Sequence, residues 1–233
     1  MILSGKCLKW KLTDTIACSL ADYPAANDFG GTVRNFYTED IYVGYRYFET
    51  FCPEKVMYEF GFGLSYSKFD IEILKAETVT EESKVGGAWG SHGVSIDNGT
   101  CAGKEVQITI CVKNTGDCRG KEVVQVYVQA PQGKLGKPAR ELKAFAKTKE
   151  LAPGEKQEMT LHIPVKNLAS YDDSGVTGHK SCYVSEAGAY VFHVGNSVRN
   201  TKIRRCRWKR SIYRKRALCD GSPAGSTRTD RSI

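Results

Sequence analysis

The chain has 233 residues, of which 41% are hydrophobic and 26% are charged, and this composition is that of a globular protein with one or two domains. No apolar run approaches the ~20 residues that a membrane-spanning helix needs, so the sequence predicts no transmembrane segment. The formal net charge is +8, but residues 199–233 hold 12 of the 34 basic residues and only 2 of the 26 acidic ones. The preceding residues are therefore slightly acidic.

The first residues, MILSGKCLKWKL, lack both the continuous apolar run and the small-residue cleavage site of a secretory signal, which favours a cytoplasmic protein. The nine cysteines are irregularly spaced and include no C-x-x-C pair. Zinc sites need such close pairs, and disulfide frameworks are typical of small secreted domains. The pattern indicates reduced thiols, and it predicts no metal site and no cofactor.

The N-terminal third of the chain divides into two parts. Residues 1–38 show no closed pattern of strands or helices, so we expect the end of something larger rather than an independent domain. Residues 39–66 crowd many aromatic side chains and glycines together. Three interpretations of this second part are open: a stacking platform for a ligand, a strand pair of an ordinary core, or a seam between two domains.

The chain then becomes strand-like. Strands are predicted in KEVQITICVKN (104–114), EVVQVYVQAP (122–131), KQEMTLHIPV (156–165) and GAYVFHVG (188–195), where apolar and polar residues alternate or β-branched residues dominate. Turn sequences follow at 114–117 and at 152–155. Short strands separated by such turns predict an all-β sandwich.

Two histidines and two carboxylate pairs are the candidates for chemistry. His162 and His193 each occupy a polar step of an alternating strand, so we expect both on the outer face, without a metal. Asp172-Asp173 and Glu81-Glu82 are poor acid–base pairs, because neighbours on a strand point to opposite faces and nothing would raise one pKa. The sequence SYDD is instead predicted to close a turn with its side chain. Asn98, in the sequon Asn-Gly-Thr, is likewise predicted to mark a turn.

Several specific motifs of the sequence resemble those of a known protein family. EDIYVGYRYFETF (39–51) and YEFGFGLSYSKFD (58–70) closely resemble the C-terminal region of glycoside hydrolase family 3, the β-glucosidase and β-xylosidase family. Four later stretches agree with the terminal fibronectin type III-like domain of that family: VKNTGDCRGKEVVQVYV (112–128), PARELKAFAKTKELAPGE (138–155), NLASYDD (167–173) and EAGAYVFHVGNSVRN (186–200).

The resemblance implies a fold and also a missing catalytic centre. It implies a fibronectin type III-like (immunoglobulin-like) β-sandwich at 67–197, preceded by a remnant of an α/β sandwich domain at 1–38 and an aromatic-rich crossover segment at 39–66. Family members resemble one another in carrying a nucleophilic Asp on an N-terminal barrel and an acid/base carboxylate usually on the second domain. Retaining hydrolysis needs both carboxyl groups. The barrel motifs do not occur in this sequence, so no catalytic residue is assigned.

The resemblance therefore predicts the C-terminal part of a family 3 enzyme, inactive alone, whose sandwich packs on the catalytic domains and meets carbohydrate only through them. Six aromatic residues of the crossover segment are expected to form the seam between domains: Tyr42, Tyr45 and Tyr47 on one side, and Phe60, Phe62 and Tyr66 on the other. The alternative is a stand-alone module that binds a glycan or a protein. Its stacking face would need exposed aromatic residues such as Trp89 or Tyr183.

The tail at 198–233 is rich in arginine and is predicted to be disordered, since its composition cannot form a packed core. Trp208 and Tyr213 among the cations would also suit binding to single-stranded nucleic acid. A basic segment can likewise lie on an acidic membrane surface. Neither nucleic acid nor a membrane is predicted as a partner.

Overall fold

The computed structural model describes residues 10–26, 28, 30, 33–34, 36–80, 104–208 and 211–213, and it describes the backbone alone at 80, 206–208 and 211–213. The predictions for Glu81-Glu82, Trp89 and Asn98 lie outside the described residues.

Strands dominate the described part of the chain. They are β1 (Ile16–Ala17), β2 (Val56–Tyr58), β3 (Phe69–Thr80), β4 (Lys104–Asn114), β5 (Val123–Gln129), β6 (Glu141–Lys147), β7 (Lys156–Pro164), β8 (Ser170–Asp172), β9 (Cys182–Ser185), β10 (Gly188–Gly195), β11 (Thr201–Trp208) and β12 (Ser211–Tyr213). One α-helix, α1 (Tyr45–Phe51), and 3₁₀ turns at Leu20–Asp22, Pro53–Lys55 and Val165–Leu168 complete this part. The predicted all-β sandwich is confirmed.

Two antiparallel sheets form the sandwich. One has the strand order β3-β4-β7 and the other has the order β11-β10-β5-β6. The inward-facing residues of β4, β5, β7 and β10 meet in one core: Val106, Ile108, Ile110, Val112, Val124, Val126, Val128, Leu161, Ile163, Tyr190, Phe192 and Val194. These are the apolar steps of the alternating sequence, so the pattern placed the core correctly.

Strand β5 departs from simple alternation because both of its faces are covered. Val124, Val126 and Val128 face the core, while Gln125 and Tyr127 between them are also buried. The Tyr127 ring lies under the rings of Tyr45 and Phe60, with centroids 5.8 and 6.4 Å away. The aromatic-rich segment 39–66 therefore packs on the outer face of the four-stranded sheet.

The two predicted outward-facing histidines differ in exposure. His162 on β7 is exposed as predicted, and its Nδ1 lies 2.9 Å from Oε1 of Glu105 on β4, which holds the pKa of that carboxyl below its usual value. The expected exposure of His193 is wrong, because only 3% of it is exposed. His193 pairs in register with Tyr127 on the covered face, so burial lowers its pKa to about 4 and the ring is neutral at pH 7.

The prediction of a disordered tail is wrong for its first part. Strand β11 pairs with β10 along its whole length, from Thr201 opposite Gly195 to Trp208 opposite Gly188. An edge strand has one unpaired side, where cations are common because they discourage pairing with other chains. The arginine-rich composition is thus that of a solvated tail, although the backbone of these residues adds a strand to the sheet. Removal of residues from 201 onward would delete this strand, and residues 214–233 lie outside the described part.

A glycine at the base of the segment tests the packing on β5. Gly61 has φ +83°, and a Cβ there would come within 2.6 Å of Gln125 Oε1 and 2.9 Å of Ser197 Cα. Gly61→Ala should therefore lose both the favourable backbone conformation and the close approach to the sheet. We expect faster chymotryptic cleavage within 39–66 and a lower urea midpoint than for the parent chain.

The matched control is Gly154→Ala. Gly154 has a similar φ of +79° with open space around it, so alanine there costs only the left-handed conformation, about 1–2 kcal/mol. Equal loss of stability and equal cleavage rates for the two variants would contradict the tight contact at Gly61.

Candidate interdomain interface

Helix α1 provides the contact between the aromatic segment and the sandwich. Tyr45, at its first position, has its ring 4.8 Å from that of Phe60, and its hydroxyl accepts a hydrogen bond from the Leu142 N–H at 2.9 Å. The Tyr127 hydroxyl, whose pKa is raised by burial, stays protonated and donates to Gln125 Oε1 at 2.6 Å. The polar ends of both phenols are thus satisfied where the rings are covered.

A second, smaller core lies on another side of α1. Phe48 is fully buried, and its ring makes edge contacts with Tyr23 at 5.5 Å and with Tyr47 at 5.4 Å. Ala17 and Cys52 complete this cluster. Because β1 pairs with β2, the described residues before Glu39 pack directly on the crossover segment.

Hydrogen bonds fix the segment at several further points. Thr50 Oγ1 accepts from the Ala139 N–H at 2.9 Å, and the Val198 N–H donates to the Phe60 carbonyl at 3.0 Å. Arg199 donates to Glu49 Oε1 and to the Pro53 carbonyl, each at 2.7 Å. The segment is therefore held to both the β6 side and the β10–β11 side of the sheet.

The predicted seam residues meet two different outcomes. Tyr42, Tyr45, Tyr47, Phe60 and Phe62 are half-buried, and each has a ring contact within the segment or with Tyr127. Tyr66 is 59% exposed, so its expected place at a seam with a further domain stays a prediction. It lies past the last ring contact, where the chain turns into β3.

Sequence reasoning missed Phe48 and Tyr127, which have the most buried rings of the interface. Phe48 follows Tyr45 by three residues, a spacing that brings side chains together on a helix, but a seven-residue helix leaves little periodicity to detect. Tyr127 alternates with the core-facing valines of β5, so the pattern places it on the outer face of the strand. The available signal of its burial was an aromatic residue between Gln125 and Gln129 on that face.

Thirteen large apolar side chains of residues 10–66 remain exposed, and we call this set the apolar flank: Trp10, Ile16, Leu20, Val33, Phe36, Tyr37, Ile41, Val43, Phe51, Met57, Tyr58, Leu64 and Tyr66. The much longer described stretch from 69 to 213 exposes six: Leu74, Phe145, Tyr171, Val176, Tyr183 and Ile203. The exposed large apolar side chains of the described residues are thus concentrated in the N-terminal part of the chain.

The carboxylate pair Asp172-Asp173 closes a turn, as predicted. Asp172 is fully buried, and its Oδ1 accepts from the N–H groups of Gly175 and Val176 at 2.7 and 3.1 Å. Its Oδ2 accepts from the Thr177 N–H at 2.8 Å and from the Thr177 hydroxyl at 2.6 Å. Burial alone would raise the pKa, but these hydrogen bonds outweigh it and lower the pKa to about 2. A general acid needs the opposite shift.

The remaining candidates do not converge on a reaction. Within the described residues, no group of three His, Cys, Asp or Glu side chains is arranged to hold a metal ion. No helix in that part is long and apolar enough to cross a membrane. Tyr183, the described member of the proposed stacking face, is 38% exposed and lies beside Tyr171 on the minor sheet β12-β9-β8.

Comparison with known proteins agrees with this architecture. A family model described as the fibronectin type III-like domain matches residues 122–198. A beta-glucosidase of Ruminococcus albus is 45% identical over 192 residues, and beta-glucosidase A of Butyrivibrio fibrisolvens is 46% identical over 196 residues. These matches cover 82% and 83% of this chain but only 18% and 22% of the two relatives.

Solved structures give the same result. A beta-glucosidase from Paenibacillus barengoltzii has a TM-score of 0.73 at 48% identity, over 87% of this chain and 20% of that one. Beta-glucosidase 3B from Thermotoga neapolitana has a TM-score of 0.70 at 34% identity, over 89% of this chain and 26% of that one. The chain corresponds to the C-terminal region of glycoside hydrolase family 3. The family predicted from the aromatic motifs is confirmed, and so is the fibronectin type III-like sandwich.

The chain matches only one region of the larger family 3 proteins. The chain spans about a fifth of the length of the relatives that it matches. Those relatives are larger proteins, so the region equivalent to this chain packs within a larger enzyme.

The Asp172 turn predicts a specific dependence of stability on pH. Its pKa is about 2 in the folded chain against a reference value of 3.8, so the carboxylate stabilises the fold fully above 3.8 and less as the pH falls towards 2. Asp172→Asn places an amide N–H₂ where an acceptor is needed. We expect a lower urea midpoint than for the parent at pH 7 and a smaller difference at pH 2.5. A difference that stays constant across this range would contradict the role of the ionised carboxylate, and Asp173→Asn is the exposed control.

Proposed function

We propose that this chain acts as the C-terminal part of a family 3 glycoside hydrolase that cleaves O-glycosyl bonds of β-glucosides. In this proposal the chain is inactive alone, and it steadies the catalytic domains by packing against them. The observation that carries the proposal is the match at 45% identity to about a fifth of a beta-glucosidase, combined with the apolar flank.

The chemistry of the described carboxylates supports inactivity of the isolated chain. Retaining hydrolysis needs two carboxyl groups about 5–5.5 Å apart, one ionised to attack and one protonated to donate. Asp172 is buried and saturated with hydrogen-bond donors, so it can neither approach a sugar nor hold a proton at neutral pH. We infer that the catalytic pair belongs to the barrel and α/β domains of the complete enzyme.

The aromatic segment is the element that would transmit packing from one domain to the next. Around the short helix α1, Tyr45 contacts the sandwich and Phe48 contacts the N-terminal residues, whereas Phe51 stays 56% exposed. The polar residues Arg46 and Glu49 of this helix form ion pairs with the sandwich. The exposed ring of Phe51 fits a helix that lies between the sandwich and a further domain.

A stand-alone binding module is the alternative function. The pair Tyr171–Tyr183 favours some binding capacity, with ring centroids 5.1 Å apart. A stand-alone module, however, has no use for thirteen exposed apolar residues away from that pair. The two functions differ in whether the apolar flank matters.

The first test is hydrolysis by the purified chain. We expect no release of p-nitrophenol from p-nitrophenyl β-glucoside above the rate of buffer alone, because the family's nucleophile lies on a barrel whose motifs do not occur in this sequence. Clear turnover that disappears on a single carboxylate substitution in this chain would overturn the proposal.

The second test is complementation. The Paenibacillus barengoltzii β-glucosidase, lacking the region that this chain matches, is co-expressed with this chain and assayed on the same substrate. We expect the chain to restore hydrolysis and to copurify with the truncated enzyme. The variant Val43→Lys, on the apolar flank, should restore at least tenfold less activity, because a cation would be buried in an apolar contact.

Ile203→Lys is the matched control for this experiment. Val43 and Ile203 are both β-branched and are equally exposed, at 57%, but Ile203 lies on β11, outside the apolar flank. Each substitution should leave the stability of the isolated chain within about 0.5 kcal/mol, as is usual for exposed positions. Equal complementation by the two variants would show that the flank is not the packing surface.

A further inference from the structure

Tyrosines occupy matching positions on all three strands of the minor sheet. Tyr171 on β8 pairs in register with Tyr183 on β9, and Tyr183 pairs in register with Tyr213 on β12. The rings of Tyr171 and Tyr183 lie 5.1 Å apart with an interplanar angle of 59°, and 49% and 38% of these residues are exposed. Neighbouring strands lie about 4.8 Å apart, so the row places tyrosine positions at regular intervals across the sheet.

The backbone beneath the two described rings is held in place. Tyr171 directly precedes Asp172, whose carboxylate accepts four hydrogen bonds from the turn between β8 and β9 at 3.1 Å or less. Cys182 and Val184, on either side of Tyr183, are buried against Leu135. The loop that carries Leu135 is itself fixed, since Lys137 and Glu186 form a buried ion pair. Rings on a preformed support lose little conformational freedom when they bind a ligand.

We propose that Tyr171 and Tyr183 form a carbohydrate-binding site for a neutral β-linked glucan chain. The face of an aromatic ring is negative, and the C–H groups on the face of a pyranose ring are weakly positive, so the two stack without any charged group. Tyr171 and Tyr183 offer such faces on neighbouring strands, so a neutral polymer can bind to them by stacking alone.

The tilt between the rings narrows the choice of ligand. At 59° the two rings cannot both lie flat against one planar group such as a nucleobase. They can each receive one of two successive sugar rings, because rotation about a glycosidic bond lets neighbouring sugars adopt different planes. The choice of a β-glucan over other neutral glycans rests on the proposed function as part of a β-glucosidase.

The test is retardation of the full chain in native gels that contain soluble mixed-linkage β-glucan, with calorimetric titration of cellohexaose as the second readout. We expect the parent chain to be retarded, and Tyr171→Ala and Tyr183→Ala each to weaken binding about tenfold, as loss of one stacking contact would. Tyr171→Phe and Tyr183→Phe should keep most of the affinity, since the ring carries the contact. Tyr66→Ala, which removes an exposed tyrosine outside this sheet, is the control and should bind as the parent does.

Each outcome bears on the site independently of the hydrolase proposal. Unchanged thermal unfolding of the two alanine variants would show that lost binding reflects lost contacts. A parent chain that is not retarded, or alanine variants that are retarded equally, would overturn the site. Concentration-dependent self-association that these variants abolish would assign the tyrosines to a second copy of the chain and also overturn it. Complementation without glucan binding would remove this inference alone, whereas binding without complementation would remove only the proposed function.

Discussion

Tyr127 has β-strands on either side and the rings of Tyr45 and Phe60 above it, and the burial of this phenol joins the two halves of the described chain. A single aromatic side chain covers about 150–250 Å², and exposing it to water would be strongly unfavourable. The outer face of the four-stranded sheet can therefore stay dry only while the aromatic segment is in place. His193 is buried on the same face, and Gln125 accepts a hydrogen bond from the Tyr127 hydroxyl there.

The cover also determines which apolar surface remains. One side of α1 packs on the sandwich, and another side packs on the N-terminal residues. The rings that do neither, with Phe51 among them, belong to the apolar flank. This distribution differs from that of a free-standing sandwich, in which outward strand positions are polar. It is the distribution expected of one region within a larger family 3 enzyme.

Sequence reasoning worked for strands that have one buried and one solvent-facing side. It failed for strands whose outer side is also buried. Strands β4 and β7 alternate cleanly because their outer faces meet water, so their bounds and core residues could be predicted. On β10, alternation placed His193 on the correct face but could not reveal that the residue is buried there. For β11, the arginines hid a strand whose pairing depends on a neighbour already in place. The seam was predictable as an aromatic cluster, but the sequence could not show which of its rings the described residues cover.

Because α1 touches both the sandwich and the N-terminal residues, neither can shift relative to the other without separating rings from Tyr45 or Phe48. Arg199 strengthens this coupling, since it joins the turn between β10 and β11 to Glu49 in α1 and to the Pro53 carbonyl. The sandwich thus fixes the orientation of a helix whose last residue, Phe51, is exposed. A domain that packs on that ring would be positioned by the sandwich through direct contact with α1.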